Sequence, residues 1–313
     1  MRRLFLALLA LAFAAPANAA EKLRVGKAVP EAFSFVPLDI GIKKGFFAKN
    51  GVEATSIAFT GDAKLQQAMA SDSIDIALGS GPAMAFIVKG APIKAIAAMA
   101  GPPLLLTLVV RNDGNVKTVA DLKGKRVSVS TAGSLTYWLV SETSRQQGWG
   151  PKGIEAVPMG VMPPQIAALE RKEIDGIVTD ISTALTLERS GKYRMLMRFG
   201  DIVKDFHIHV IFATTKMVAE KPDALRGFLK GWFETIAFMR ANKAETVDIA
   251  KDVLHKDGDI IARTYDTLMP MFSDTGRFDP KALATLAGSF VELGVLPEKP
   301  DMSKLYTEAF LPK

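Results

Sequence analysis

Apolar positions recur along this chain in two alternating rhythms. Residues 23–26, a run closing at 57–59, and residues 74–78 have strand length, and each yields to a glycine or proline turn followed by helical spacing. Between them, residues 62–70 place Leu65, Ala68 and Met69 on one helical face, and Pro82 suits the first turn of a helix running to about Val88. Runs at 93–99 and 104–110 add two strands, the second after the turn Gly101-Pro102-Pro103. A similar cycle restarts after Gly124. Strands are expected at 126–129, 154–157 and 174–178, with helices at 134–147, 164–171 and 181–189. After a strand at 207–214 the pattern is helical to the end, with Leu225, Phe228, Leu229, Trp232, Ile236 and Met239 spaced as one buried face.

Alternating strands and helices imply an α/β fold with parallel sheets, and two consecutive sets imply two lobes. The chain shows no fixed-period repeat and no low-complexity linker, so the lobes must join through short connections, placed near Val110 and near Phe212. This divides the chain into a first, discontinuous lobe at 20–110 and 212–313 and a second at 111–211, with the helical tail packed on a lobe.

The N-terminus has its own pattern: Arg2 and Arg3, an apolar run at 4–15, then Ala17-Asn18-Ala19 in the small-x-small form of a signal-peptidase site. Cleavage is expected after Ala19. A run of about 12 apolar residues falls short of the roughly 20 that cross a bilayer. A lipid anchor needs a cysteine at the cleavage site, and the chain has no cysteine at all, which also excludes disulfides and thiolate chemistry. The formal charge of +6 becomes +4 without Arg2 and Arg3, and it is spread without a basic block, so no nucleic-acid partner is indicated.

In an open α/β sheet, ligands bind beyond the carboxyl ends of the strands, where helix N-termini present free N–H groups. Six loops qualify: 29–37, 60–64 and 79–83 in the first lobe, and 130–137, 160–164 and 179–182 in the second. Candidate ligand contacts are Phe33, Phe35, Gly61, Asp62, Ser80, Gly81, Thr131, Ser134, Thr136, Tyr137 and Asp180. Thr131, Ser134 and Thr136 offer hydroxyls for a polar group, while Phe33, Phe35 and Tyr137 offer walls for an apolar body. Simpler roles stay open. Ser134 and Asp180 suit helix N-caps, Phe33 and Phe35 suit core staples, and Trp138 has the spacing of a core residue. Gly79-Ser80-Gly81 begins like a dinucleotide fingerprint, but Met84 stands where the third glycine would be. Asp205, His207 and His209 alternate, so a strand would turn all three to one face; they are too few to define a metal centre.

The loops carry Glu31, Asp62 and Asp180 against Lys64, so no cationic cluster awaits a multiply charged anion. A small organic ligand with at most one negative charge is expected, its rival being an inorganic oxyanion held by backbone N–H groups. No GxSxG elbow, GxxxxGK[ST] loop or HExxH motif is present, and there are three histidines in all, which argues against the common hydrolase, nucleotidase and zinc-protease chemistries.

The run Pro37-Leu38-Asp39-Ile40-Gly41-Ile42-Lys43-Lys44-Gly45-Phe46-Phe47, followed by Asn50-Gly51-Val52-Glu53, resembles the hallmark of nitrate/sulfonate/taurine-type solute-binding proteins, the thiamine-precursor-binding-like family. Segments 75–79, 121–127 and 173–178 continue the resemblance in order, over about residues 23–214. It implies the type II periplasmic-binding-protein fold: two α/β lobes with mainly parallel sheets, joined by two crossing segments and closing on ligand. It further implies a periplasmic, monomeric binding component of an ABC importer, working with an inner-membrane permease and its ATPase and needing no cofactor or metal. The ligand would be a sulfonate, carboxylate or heterocycle. Two alternatives accompany it: an enzyme of the same fold acting on a pyrimidine-type compound, and the binding subunit of a membrane sensor.

Overall fold

The computed structural model describes residues 20–30 and 32–313; the leader expected at 1–19 and Glu31 lie outside them. The described chain contains ten strands: β1 (Glu21–Lys27), β2 (Val52–Ala58), β3 (Ile76–Ser80), β4 (Ile93–Ala100), β5 (Leu106–Arg111), β6 (Arg126–Val129), β7 (Glu155–Pro158), β8 (Gly176–Asp180), β9 (Tyr193–Arg198) and β10 (His209–Thr214). The α-helices of the first half are α1 (Val36–Lys43), α2 (Phe46–Lys49), α3 (Asp62–Ala70), α4 (Ala85–Val88), α5 (Leu135–Gln146), α6 (Met162–Glu170) and α7 (Ile181–Glu188). Those of the second are α8 (Thr215–Glu220), α9 (Pro222–Ala241), α10 (Lys243–Leu254), α11 (Gly258–Leu268) and α12 (Pro280–Glu292).

The strands form two five-stranded sheets, ordered β2-β1-β3-β10-β4 and β7-β6-β8-β5-β9. In each, four strands run one way and the fifth, β10 or β5, runs antiparallel to both its neighbours. The two exceptions are the strands reached immediately after the chain passes from one sheet to the other. A strand arriving from the opposite lobe enters from the cleft side, so it points against strands whose carboxyl ends face the cleft. Helices cover both faces of each sheet, which explains why β10 is buried at all six positions and β4 at nearly all of its eight.

The chain crosses between sheets at 101–105 and again at 199–208. The crossings expected near Val110 and Phe212 are therefore corrected, because both residues lie inside strands, β5 and β10, with full ladder partners. An apolar run declares a strand but not the sheet it joins. Strand β9 had no counterpart in the sequence pattern; its Met and Leu residues include no β-branched type.

The helical tail returns to the first sheet. Helix α9 buries the face Leu225, Phe228, Leu229, Trp232, Ile236 and Met239, each at most 1% exposed, against α1 and α2. There Phe47 stacks on Phe228 with ring centroids 4.9 Å apart, and each fully buried side chain of this size contributes about 1.5–3 kcal/mol. Helix α12 lies beside the 3-10 turn Gly81–Met84, and this carries its C-terminal residues towards the second lobe. Trp138 of α5 donates its indole N–H to Glu292 Oε2 at 2.6 Å and stacks on Phe206 of the second crossing at 5.2 Å. On the other flank, Arg189 beyond α7 pairs with Asp257 and Asp259 at the start of α11.

Candidate functional site

Between the lobes lies a cleft of about 620 Å³, well inside the size range of small-molecule sites. Its walls come from the carboxyl ends of β2, β3 and β6 and from the C-terminal end of α12. The first lobe contributes the loop before α3. Gly61, the N-cap of that helix, has φ 108° and ψ 159°, a backbone region open essentially to glycine alone. This turn sets Asp62 at the helix start, where its Oδ1 accepts a hydrogen bond of 2.9 Å from the Ser80 N–H at the end of β3. Burial pushes the Asp62 carboxyl above the usual carboxylate range, and the Ser80 N–H opposes that shift.

The second lobe contributes Ser130, Thr131, Gly133, Ser134 and Leu135, the turn from β6 into α5. Ser134 serves two purposes. Its Oγ caps α5 by accepting from the Tyr137 N–H at 3.2 Å and donates to the Thr131 carbonyl at 2.8 Å, while the residue lines the cleft. Apolar surface comes from Ala83, Ala85, Phe86, Phe290, Leu293 and Val295, and Lys89 stands exposed at the rim. Lys89 and Asp62 are the ionisable side chains of the described lining.

Gly61, Asp62, Ser80, Thr131 and Ser134 thus meet in one cleft, although they lie up to 73 residues apart in sequence. Six other candidates are placed elsewhere. Phe33 and Phe35 occupy a 3-10 turn that drives both rings into the core: Phe33 packs edge-on to Tyr265, and Phe35 lies 4.8 Å from the His209 ring. Gly81 lies behind the lining, its N–H bonded to the Ile208 carbonyl at 3.0 Å. Thr136 bonds through Oγ1 with the Ser130 N–H and the Ser130 and Ser134 hydroxyls, knitting the loop rather than facing the cleft. Tyr137 lines a separate hollow with Lys152 and Ile154. At about 100° per residue it is roughly 200° around the helix from cleft-facing Leu135. Asp180 caps α7, accepting from the Ser182 and Thr183 N–H groups at 3.0 and 3.1 Å.

His207, in the second crossing, and His209, which opens β10, are also internal. His207 Nε2 accepts from the Asp279 N–H at 3.0 Å, and His209 is enclosed beside Phe35. Asp205 is exposed, so the alternation that would align it with them is broken before β10 begins. Among the described residues no group of three His, Asp or Glu side chains is placed to hold a metal ion. The sequence pattern missed Phe86, Phe290, Leu293 and Val295. Nothing local marks the last three, which reach the cleft only because α12 folds back over the first lobe.

Comparison with known proteins agrees with this architecture. A putative thiamine biosynthesis protein of Haemophilus influenzae is 33% identical over 92 residues, a stretch that spans 29% of each chain. The periplasmic aliphatic sulphonate binding protein SsuA from Escherichia coli superposes with a TM-score of 0.77 at 18% identity, covering 92% of both chains. The desulfurization enzyme DSZB superposes at 0.65 with 14% identity, over 93% of this chain and 97% of its own. At such identities the likeness is one of fold, the two-lobed periplasmic-binding architecture, and it is shared by binding proteins and at least one enzyme. The profile of the family described as NMT1/THI5 like matches residues 32–246, well over half of the sequence, and the chain belongs to that family.

Proposed function

We propose that this protein is the extracytoplasmic solute-binding component of an ABC importer, capturing a small organic ligand in the interlobe cleft and presenting it to a membrane permease served by an ATPase. It is exported and cleaved after Ala19. The observation that carries this reading is the composition of the cleft. Both lobes supply its walls, and among the described residues the two segments 101–105 and 199–208, with the contacts of α11 and α12, connect them. A ligand bridging the walls therefore stabilises the closed arrangement by exactly its differential affinity for it, which is what a transporter reads as occupancy. Loop-forming hydrogen bonds fix the Asp62 carboxyl and the Ser134 hydroxyl at the cleft wall.

The enzyme alternative is favoured by one fact, that DSZB shares the fold. A thermal-shift screen of sulfonates, carboxylates, oxyanions, amines and heterocycles, followed by calorimetry and small-angle scattering, separates the two. The expected result is a stoichiometric ligand recovered unchanged, with a smaller radius of gyration when bound. Chemical conversion of a bound compound, or identical scattering with and without it, would overturn the importer role.

A further inference from the structure

We propose that Asp62 makes the cleft selective for an organic ligand carrying a cationic, hydrogen-bond-donating nitrogen, such as an ammonium, amidinium or protonated amino-heterocycle, and against sulfonates and other oxyanions. This rests on the solute-capture reading and specifies its ligand class. Three features of the cleft lead to it.

The first is the state of the carboxylate. Asp62 Oδ1 accepts from the Ser80 N–H, and the half-buried residue lines the cleft. No described lysine or arginine pairs with Asp62; Lys64, two residues along α3, is exposed, and Lys89 stands at the rim. A half-buried carboxyl whose charged form burial disfavours gains most from a partner that brings positive charge and N–H donors together and so favours ionisation, whereas an oxyanion in the same space would disfavour it further.

The second feature is the supply of backbone donors. Oxyanion sites in such folds use N–H groups at helix starts, and the two starts at this cleft are poorly suited to one: Ser134 Oγ already accepts from an α5 N–H, and the start of α3 carries the Asp62 carboxyl, whose ionised form would repel an anion there. The turn following β3 has Pro82 near its start, which has no N–H to offer. The third feature is the remaining wall. The half-buried Phe86 lines the same cleft, and an aromatic face attracts a cation while offering nothing to an anion.

The test is calorimetry on the full mature protein with size-matched probes: benzamidine, 4-aminopyridine and n-butylamine against benzenesulfonate, butanesulfonate and sulfate. The proposal expects at least one cation to bind more tightly than every anion. In Asp62→Asn, which keeps the oxygen that accepts from Ser80, affinity for that cation should fall by about thirtyfold or more, as for truncation of a buried charge pair, with sulfonate affinity equal or higher. A sulfonate preferred by the unsubstituted protein, no cation bound at millimolar concentration, or cation affinity unchanged in Asp62→Asn would each overturn it. The selectivity panel decides the matter even if the variant misfolds. A sulfonate that binds more tightly than every cation and closes the lobes would refute the role of Asp62 alone, whereas a cation bound and chemically converted would refute the importer reading alone.

Discussion

Acid should destabilise this protein through one buried histidine, His209. It opens β10 between β3 and β4, is 8% exposed, and neither ring nitrogen finds a well-formed hydrogen bond. Burial lowers its pKa from 6.5 to about 4, and the Gly79 backbone opposes this only in part. The unfolded chain takes up a proton near pH 6.5, while the folded protein resists it until about pH 4. Stability from this residue is therefore whole above pH 6.5 and is lost as pH falls towards 4. The full difference corresponds to about 3 kcal/mol, most of which is gone by pH 4.5. Urea unfolding between pH 7.5 and 4.5 should show the unsubstituted protein losing about 2–3 kcal/mol more than His209→Leu, which keeps an apolar side chain of similar size and removes the titration. The other acid-sensitive groups, including His207 and the Arg24–Asp75 pair, remain in both proteins and cancel. Parallel pH profiles would show that His209 is not held neutral by burial and would refute the reasoning.

Gly81→Ala should be costly, because a methyl group there would lie 1.9 Å from the His207 carbonyl oxygen, a backbone atom of the second crossing that has little room to move. A loss of about 1–3 kcal/mol is expected in denaturant unfolding, and unchanged stability would mean that the crossing gives way easily. Mass spectrometry of the exported protein should find a chain beginning at Ala20, in keeping with the Ala17-Asn18-Ala19 site; retention of Met1 would contradict export by cleavage.

Much of this architecture is legible in the order of residues. Strand and helix declare themselves through their own backbone periods, so α3 was expected at 62–70 and is found at Asp62–Ala70, and α9 buries the face its spacing marks. The repeated strand-helix cycle is enough to imply two sheets with loops gathered at their carboxyl ends, since that arrangement follows from local chain geometry. Five candidate residues, Gly61, Asp62, Ser80, Thr131 and Ser134, share a cleft for that reason. What tertiary structure alone decided is which way individual side chains turn and which sheet a strand joins. Phe33 and Phe35 look like ligand walls until Tyr265, Phe272 and His209 are packed against them. Leu135 and Tyr137 are two residues apart, yet the rotation of α5 against its sheet gives one to the cleft and takes the other away. Phe290, Leu293 and Val295 join a site built largely from residues 61–135 only because the tail returns to the first lobe. Backbone periodicity is a property of neighbours in sequence, whereas the direction of a side chain and the pairing of a strand depend on surfaces supplied by distant segments, and those surfaces exist only once the chain has folded.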